Sequence, residues 1–139
     1  MAEYPFAAVQ TTPTEEPLPL FKEYAWDFEN DCFIYDKNNK HILYEGNEAL
    51  KVWCYKALKT ERFMYLAYTQ GYGIEIYPFM AKVMGVQQRK SELKRMITEC
   101  LMVNPYIKSI DSIIFEESNR NEDMMIHIVM TTLYGVLII

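Results

Sequence analysis

From Tyr24 onward the chain alternates. In "YAWDF", Tyr24, Trp26 and Phe28 fall on one face, and "CFIYD" and "HILYE" follow as short apolar segments around the turn-prone "DKNNK". Two or three short antiparallel strands are predicted. The period then changes from 2 to 3.6. In "NEALKVWCYKALK", opening behind Gly46 and Asn47, the residues Leu50, Trp53, Cys54, Ala57 and Leu58 recur at helical spacing. That predicts an amphipathic helix of about three turns. "IEIYPFMAKVM" predicts a short helix with Pro78 in its first turn, where a missing N–H costs little, stopped by Gly85. "QQRKSELKRMITECLMV" carries the clearest helical pattern, with Leu93, Met96, Ile97, Cys100 and Leu101 as one stripe and charged residues on the other faces. Asn104-Pro105 ends it.

"YIKSIDSIIFEE" and "MMIHIVMTTLYGVLII" then read as strands on either side of the polar loop "SNRNED". The second places Met125, His127, Val129, Thr131 and Leu133 on one side and Met124, Ile126, Ile128, Met130 and Thr132 on the other. Both sides are apolar enough that the strand must be covered twice or paired outside the chain. Its end, "VLII", carries no charge, although a monomer normally guards such an edge with charge or proline. Ile126, Ile128, Met130, Thr132 and Tyr134 are therefore expected in a docking strand. The order β-β-β-α-(α)-α-β-β predicts an α+β fold, a small antiparallel or mixed sheet packed with two or three helices.

Residues 1–23 stand apart. They hold four of the six prolines and no apolar period, which predicts an extended arm, with a solvated tail as the alternative. Leu18, Leu20 and Phe21 are apolar anchors that a solvated tail does not need. The rest, 24–139, is expected to form one domain, as a 139-residue chain that is half hydrophobic has enough apolar material for one core.

Charge narrows the partners. A net charge of −5 gives no footprint for a polyanion, and Arg89, Lys90, Lys94 and Arg95 read as the solvated face of a helix. No apolar run reaches the roughly 18 residues of a membrane span, and the N-terminus lacks the pattern of a signal peptide. No nucleic acid or membrane partner is expected, and a soluble cytoplasmic chain is. Cys32, Cys54 and Cys100 are odd in number and widely spaced, which favours buried thiols over disulfides or zinc.

Candidate chemistry is sparse. A carboxylate-dependent glycosidase needs one carboxyl of raised pKa beside an ionised partner. Asp27, Glu29, Asp31, Glu61 and Glu75 are available, but the first three alternate with Trp26, Phe28 and Asn30 as the wet face of a sheet would. His41 and His127 lie in no nucleophile motif, Gly71 and Gly73 do not make a phosphate loop, and metal-ligand spacing is absent. Neither cofactor nor metal is expected.

The interaction reading is better supplied. In "LKTERFMYLAYTQGYGIEI", Thr60, Glu61 and Arg62 precede Phe63, Tyr65, Tyr68 and Tyr72 in a glycine-punctuated stretch, the side-chain mix of interface hot spots. Some of these rings are expected to complete the core and the rest to face a partner.

The helix "EALKVWCYKALKTERFMYLAYTQGYGIEI", the cationic helix "RKSELKRMITECLMVNPYIKSI" and a closing strand pair ending in "TTLYG" together resemble the small baseplate wedge protein of contractile phage tails. That family is also called the sheath initiator, and some descriptions call it lysozyme-like. The likeness runs from about Phe21 to Tyr134 and is to the branch found in prophages and phage-tail-like bacteriocins of Gram-positive bacteria. The resemblance implies a small sheet with helices on it, shared with the handshake region of sheath subunits. It implies a structural role: contact with baseplate wedge and hub or tube proteins, about six copies per baseplate, and sheet edges offered to the arms of the first sheath ring. The implied location is the bacterial cytoplasm during assembly and the baseplate afterwards. The resemblance also carries partner contacts onto Thr60, Glu61, Arg62, Tyr72 and Gly73. Where the family has Glu-Pro-Arg, this chain has Asn104, Pro105 and Tyr106, which removes both charges from that contact. Two other classes remain: a lysozyme-like hydrolase, and a cytoplasmic adaptor that binds through its C-terminal strand.

Overall fold

The computed structural model describes residues 16–117 and 124–139. Most of the expected arm, and the loop "SNRNED", lie outside the described residues. The elements are β1 (Lys22–Tyr24), β2 (Trp26–Asp27), β3 (Cys32–Phe33), β4 (Leu43–Glu45), α1 (Asn47–Lys59), α2 (Ile76–Met80), α3 (Val86–Met102), β5 (Ile107–Glu117), β6 (Met124–Thr132) and β7 (Gly135–Ile138). The fold is α+β. β1 pairs with β4 and β2 with β3, while β5, β6 and β7 make a three-stranded antiparallel sheet with β6 in the middle.

The two long helices form where the 3.6-residue period places them. All five stripe residues of α3 are buried, and α1 buries Leu50, Cys54 and Ala57 against them. Both helices cover the inner face of the large sheet, where Ile107, Ile128, Met130 and Leu137 close the core. On the other sheet face, Ile114, Met125, Val136 and Ile138 are exposed among the described residues.

Three local readings need correction. "YAWDF" is not one strand, since the chain leaves β1 at Ala25 and turns after Asp27. The Asp27 carboxylate accepts the N–H groups of Glu29 and Asn30 at 2.9 and 3.1 Å, and Asp31 takes φ 52°. A side chain that satisfies the local backbone competes with the ladder. Gly85 does not stop the short helix, which ends at Met80; Gly85 is instead the N-cap of α3, with its carbonyl accepting Arg89 N–H at 2.9 Å. Residues 124–139 are not one strand but the hairpin β6–β7, turned at Leu133-Tyr134 with Gly135 at φ 105°. A left-handed φ is open to glycine without steric cost, which is why the turn closes there.

Leu101 is fully buried at the centre of the core. Leu101→Ala is expected to lower unfolding free energy by about 3 kcal/mol, read by urea denaturation. Val83→Ala, at a fully exposed position, should stay within about 0.5 kcal/mol of the parent.

Candidate functional site

The segment from Thr60 to Tyr77 is stapled at its base. Thr60 accepts Ile74 N–H at 2.9 Å, Arg62 N–H donates to Ile74 O at 3.0 Å, and Arg62 Nε donates to Gly73 O at 3.2 Å. The Glu61 carboxylate takes the N–H groups of Ile76 and Tyr77 at 3.0 and 3.2 Å, so it caps the first turn of α2. Arg62 Nη1 lies 3.9 Å from Glu75. Gly73 sits at φ 100°, and a Cβ there would fall 2.6 Å from Thr60 O. Thr60, Glu61, Arg62 and Gly73 are thus spent largely within the chain. Between the two legs of the staple, Phe63, Met64, Tyr65, Leu66 and Tyr68 are all exposed, Leu66 completely.

Tyr72 meets the Tyr68 ring, with centroids 4.7 Å apart, and sits beside Asn104, Pro105 and Tyr106. Together with Phe21 and Trp53 these four line a cleft of about 450 Å³. Tyr72 is half-buried there, and burial pushes its phenol up to about 12. Asn104 is 4% exposed and Tyr106 9%, so only Pro105 of the triplet is freely exposed. Asn104 Oδ1 accepts Tyr106 N–H at 2.9 Å, which shapes the corner from α3 into β5. Tyr106 then reaches across the molecule: its hydroxyl donates to Pro19 O at 2.6 Å, and its ring meets Phe21 edge-on and stacks on Tyr134. Tyr134 in turn accepts Phe21 N–H at 2.9 Å. The arm is therefore fastened to the sheet at Pro19 and Phe21, a contact that sequence reading missed. Of the apolar anchors Leu18, Leu20 and Phe21 expected there, Phe21 packs against the core, whereas Leu18 and Leu20 are exposed.

The sheet edges differ. β6 has a strand on each side, and Ile128, Met130 and Thr132 face the core. The expected docking strand is thus mostly interior: these three side chains are committed to packing, and their N–H and C=O groups to β7. The free main-chain edges of the sheet belong to β5 and β7. β5 is interrupted by two register shifts and carries Asp111, Glu116 and Glu117. β7 carries neither a charge nor a bulge. Ile128 and Ile139 exchange both backbone hydrogen bonds, so the alternation of an antiparallel ladder turns the polar groups of Val136 and Ile138 outward. Asn47 Nδ2 donates to Val136 O at 3.3 Å, leaving Val136 N–H and both groups of Ile138 open among the described residues.

The carboxylates are structural where their partners are visible. Tyr55 Oη, at 2.7 Å, and Lys59 hold Asp31 below the ordinary carboxylate range, and hydrogen bonds from Asn30 and Glu29 do the same for Asp27. Neither supplies a raised-pKa acid. Burial pushes Cys54 up to about 12 and Cys100 to about 11, which keeps both as thiols; Cys32 is exposed, contrary to expectation. His127 meets Glu116 at 3.2 Å, and His41 lies among the rings of Tyr24, Phe33 and Tyr35. Among the described residues no group of three or more potential ligands could hold a metal, and no helix is long and apolar enough to cross a membrane.

A small α+β domain with an unguarded strand and an apolar loop on its surface is of the class that works by being held in an assembly. The family model described as contractile injection system sheath initiator matches residues 22–135, and the chain belongs to that family. It is a structural component of a contractile injection system. No curated protein matches it.

Gly73→Ala is expected to lower stability by about 2 kcal/mol or more, since the added Cβ meets backbone and the φ is left-handed. Gly71→Ala, with nothing within 4 Å of the new Cβ, should change it by less than about 0.5 kcal/mol. Thermal unfolding of the two variants checks the difference.

Proposed function

We propose that the protein sits on the baseplate around the tail tube, joins wedge or hub proteins to the first sheath ring, and starts the sheath by strand addition along β7. The observation that carries this is the contrast between edges: β5 is bulged and charged, whereas β7 presents open polar groups between the exposed side chains of Val136 and Ile138. Main-chain hydrogen bonds would give such a contact its affinity and side-chain alternation its register. In this reading the arm of a sheath subunit lies beside Val136 and Ile138, in place of the Ile126, Ile128, Met130, Thr132 and Tyr134 set.

The stapled loop Phe63–Tyr68 and the cleft of Tyr72, Asn104, Pro105 and Tyr106 face the wedge side. Thr60, Glu61, Arg62 and Gly73 serve that contact by holding the loop in place. Six copies per baseplate, assembly in the bacterial cytoplasm and a parent particle of the prophage or bacteriocin type from Gram-positive bacteria complete the proposal. No cell-wall hydrolysis is assigned to the chain, because its best-placed carboxylates are engaged in turns and caps.

The test is binding to the sheath subunit of the same particle. Ile138→Pro removes an outward N–H while leaving the β6 ladder intact, the position at which an edge strand tolerates proline. The variant is expected to keep its unfolding midpoint within a few degrees and to lose at least about tenfold in affinity. Unchanged binding by a folded Ile138→Pro would remove β7 as the docking edge. A parent chain that ignores the sheath subunit would favour the adaptor class instead.

A further inference from the structure

The cleft of about 450 Å³ between the arm and the corner after α3 is aromatic and uncharged. Two edge-on ring pairs stand along it, Phe21 with Tyr106 at 4.9 Å and Trp53 with Tyr72 at 5.8 Å, and Pro105 joins them. Among the described residues, none that lines it is a carboxylate, lysine or arginine. Such a cleft suits extended, proline-bearing chain, whose rings pack on its rings and whose backbone has little freedom left to lose. The described chain enters the fold at this same place. Pro19 O accepts the Tyr106 hydroxyl at 2.6 Å, and Phe21 is itself a cleft residue. Residues 1–15 precede that anchor. From Tyr4 to Pro13 they read "YPFAAVQTTP", which carries two prolines, the rings of Tyr4 and Phe6, and no charge.

We propose that this stretch folds back over its own domain and seats Tyr4, Pro5 and Phe6 in the cleft. The chain from Phe6 to Pro19 can span roughly 40 Å at about 3.1 Å per residue, enough to leave the anchor and return to a cleft that begins there. Tethering holds the segment at an effective concentration of order millimolar, which sustains a contact too weak to form between separate molecules. A charged ligand finds nothing to pair with in this lining. The segment of a second copy is disfavoured because the bond from Tyr106 to Pro19 already roots the chain's own segment beside its own cleft. Covered in this way, Trp53 and Tyr72 are shielded in the free chain, and another protein reaches them by displacing the segment. The inference does not rest on strand addition along β7, and the two stand or fall separately.

The experiment is photo-cross-linking of the full chain carrying Phe6→p-benzoylphenylalanine, with the products mapped by mass spectrometry. The expected product is one chain closed on itself, with position 6 joined to Trp53, Tyr72 or the cleft residues Thr69, Gly71, Val103 and Pro105. Tyr4→Ser with Pro5→Ser in the same photoreactive chain keeps the tether but removes a ring and a proline, and should lower the yield at least about fivefold. Gly71→Phe, whose new side chain starts in open space at the cleft, should lower it comparably, with the unfolding midpoint showing that the domain is intact. If Gly71→Phe does not fold, the double variant decides, since its substitutions lie outside the domain. A yield that ignores Tyr4→Ser with Pro5→Ser would reduce the contact to tethering and overturn the inference. Products on other surfaces, or none within one chain, would also overturn it. So would a product of two chains' mass, which would assign the cleft to the segment of a second copy.

Discussion

The pairing of β7 with the second half of β6 is the constraint on which the rest of the molecule depends. It makes β6 an interior strand, so Ile128, Met130 and Thr132 pack inward and the helices have an inner face to cover. It also fixes the start of α1. Thr132 is 2% exposed, and its hydroxyl donates to Asn47 Oδ1 at 2.6 Å and accepts Tyr134 N–H at 3.0 Å. The turn residue Tyr134 then reaches Phe21 and stacks on Tyr106, which ties the arm and the corner after α3 to the same hairpin. Sheet, first helix and arm thus meet at the turn of the β6–β7 hairpin.

That dependence explains the division of labour on the surface. Polar groups that shape the chain are satisfied internally: Glu61 on the first turn of α2, Asn104 on the corner into β5, Asp27 and Asp31 in the turn after β2. Open among the described residues are main chain at the sheet margin and apolar side chains, on the outer sheet face and on the loop from Phe63 to Tyr68. Both offer area and hydrogen bonds to another chain, which suits a structural member of the sheath initiator family.

Much of the fold was legible in the sequence because periodicity over 13 and 17 residues is hard to produce by chance, and α1 and α3 lie within a residue of the expected segments. The hairpin was not, because Thr131, Thr132 and Tyr134 are residues that strands favour, so the segment from Ile126 to Ile139 reads as one continuous strand. Only Gly135 and the change of buried parity, from Met130 and Thr132 to Leu137, betray the turn. The site was half legible. Thr60, Glu61, Arg62 and Gly73, read from sequence as partner contacts, are joined by hydrogen bonds within the chain, and sequence does not say whether a polar group's partner lies across an interface or fifteen residues along the chain. Ile76 and Tyr77 fold back to Glu61, and that return is a tertiary fact. The placement of Tyr72 in one cleft with Asn104 and Tyr106 is another.

The most direct test of the central claim is electron cryo-microscopy of the assembled baseplate bearing its first sheath ring, at a resolution that traces main chain. The account predicts a strand from a sheath subunit hydrogen-bonded along Val136 and Ile138. A sheath ring that contacts this protein elsewhere, with β7 left facing solvent, would contradict it.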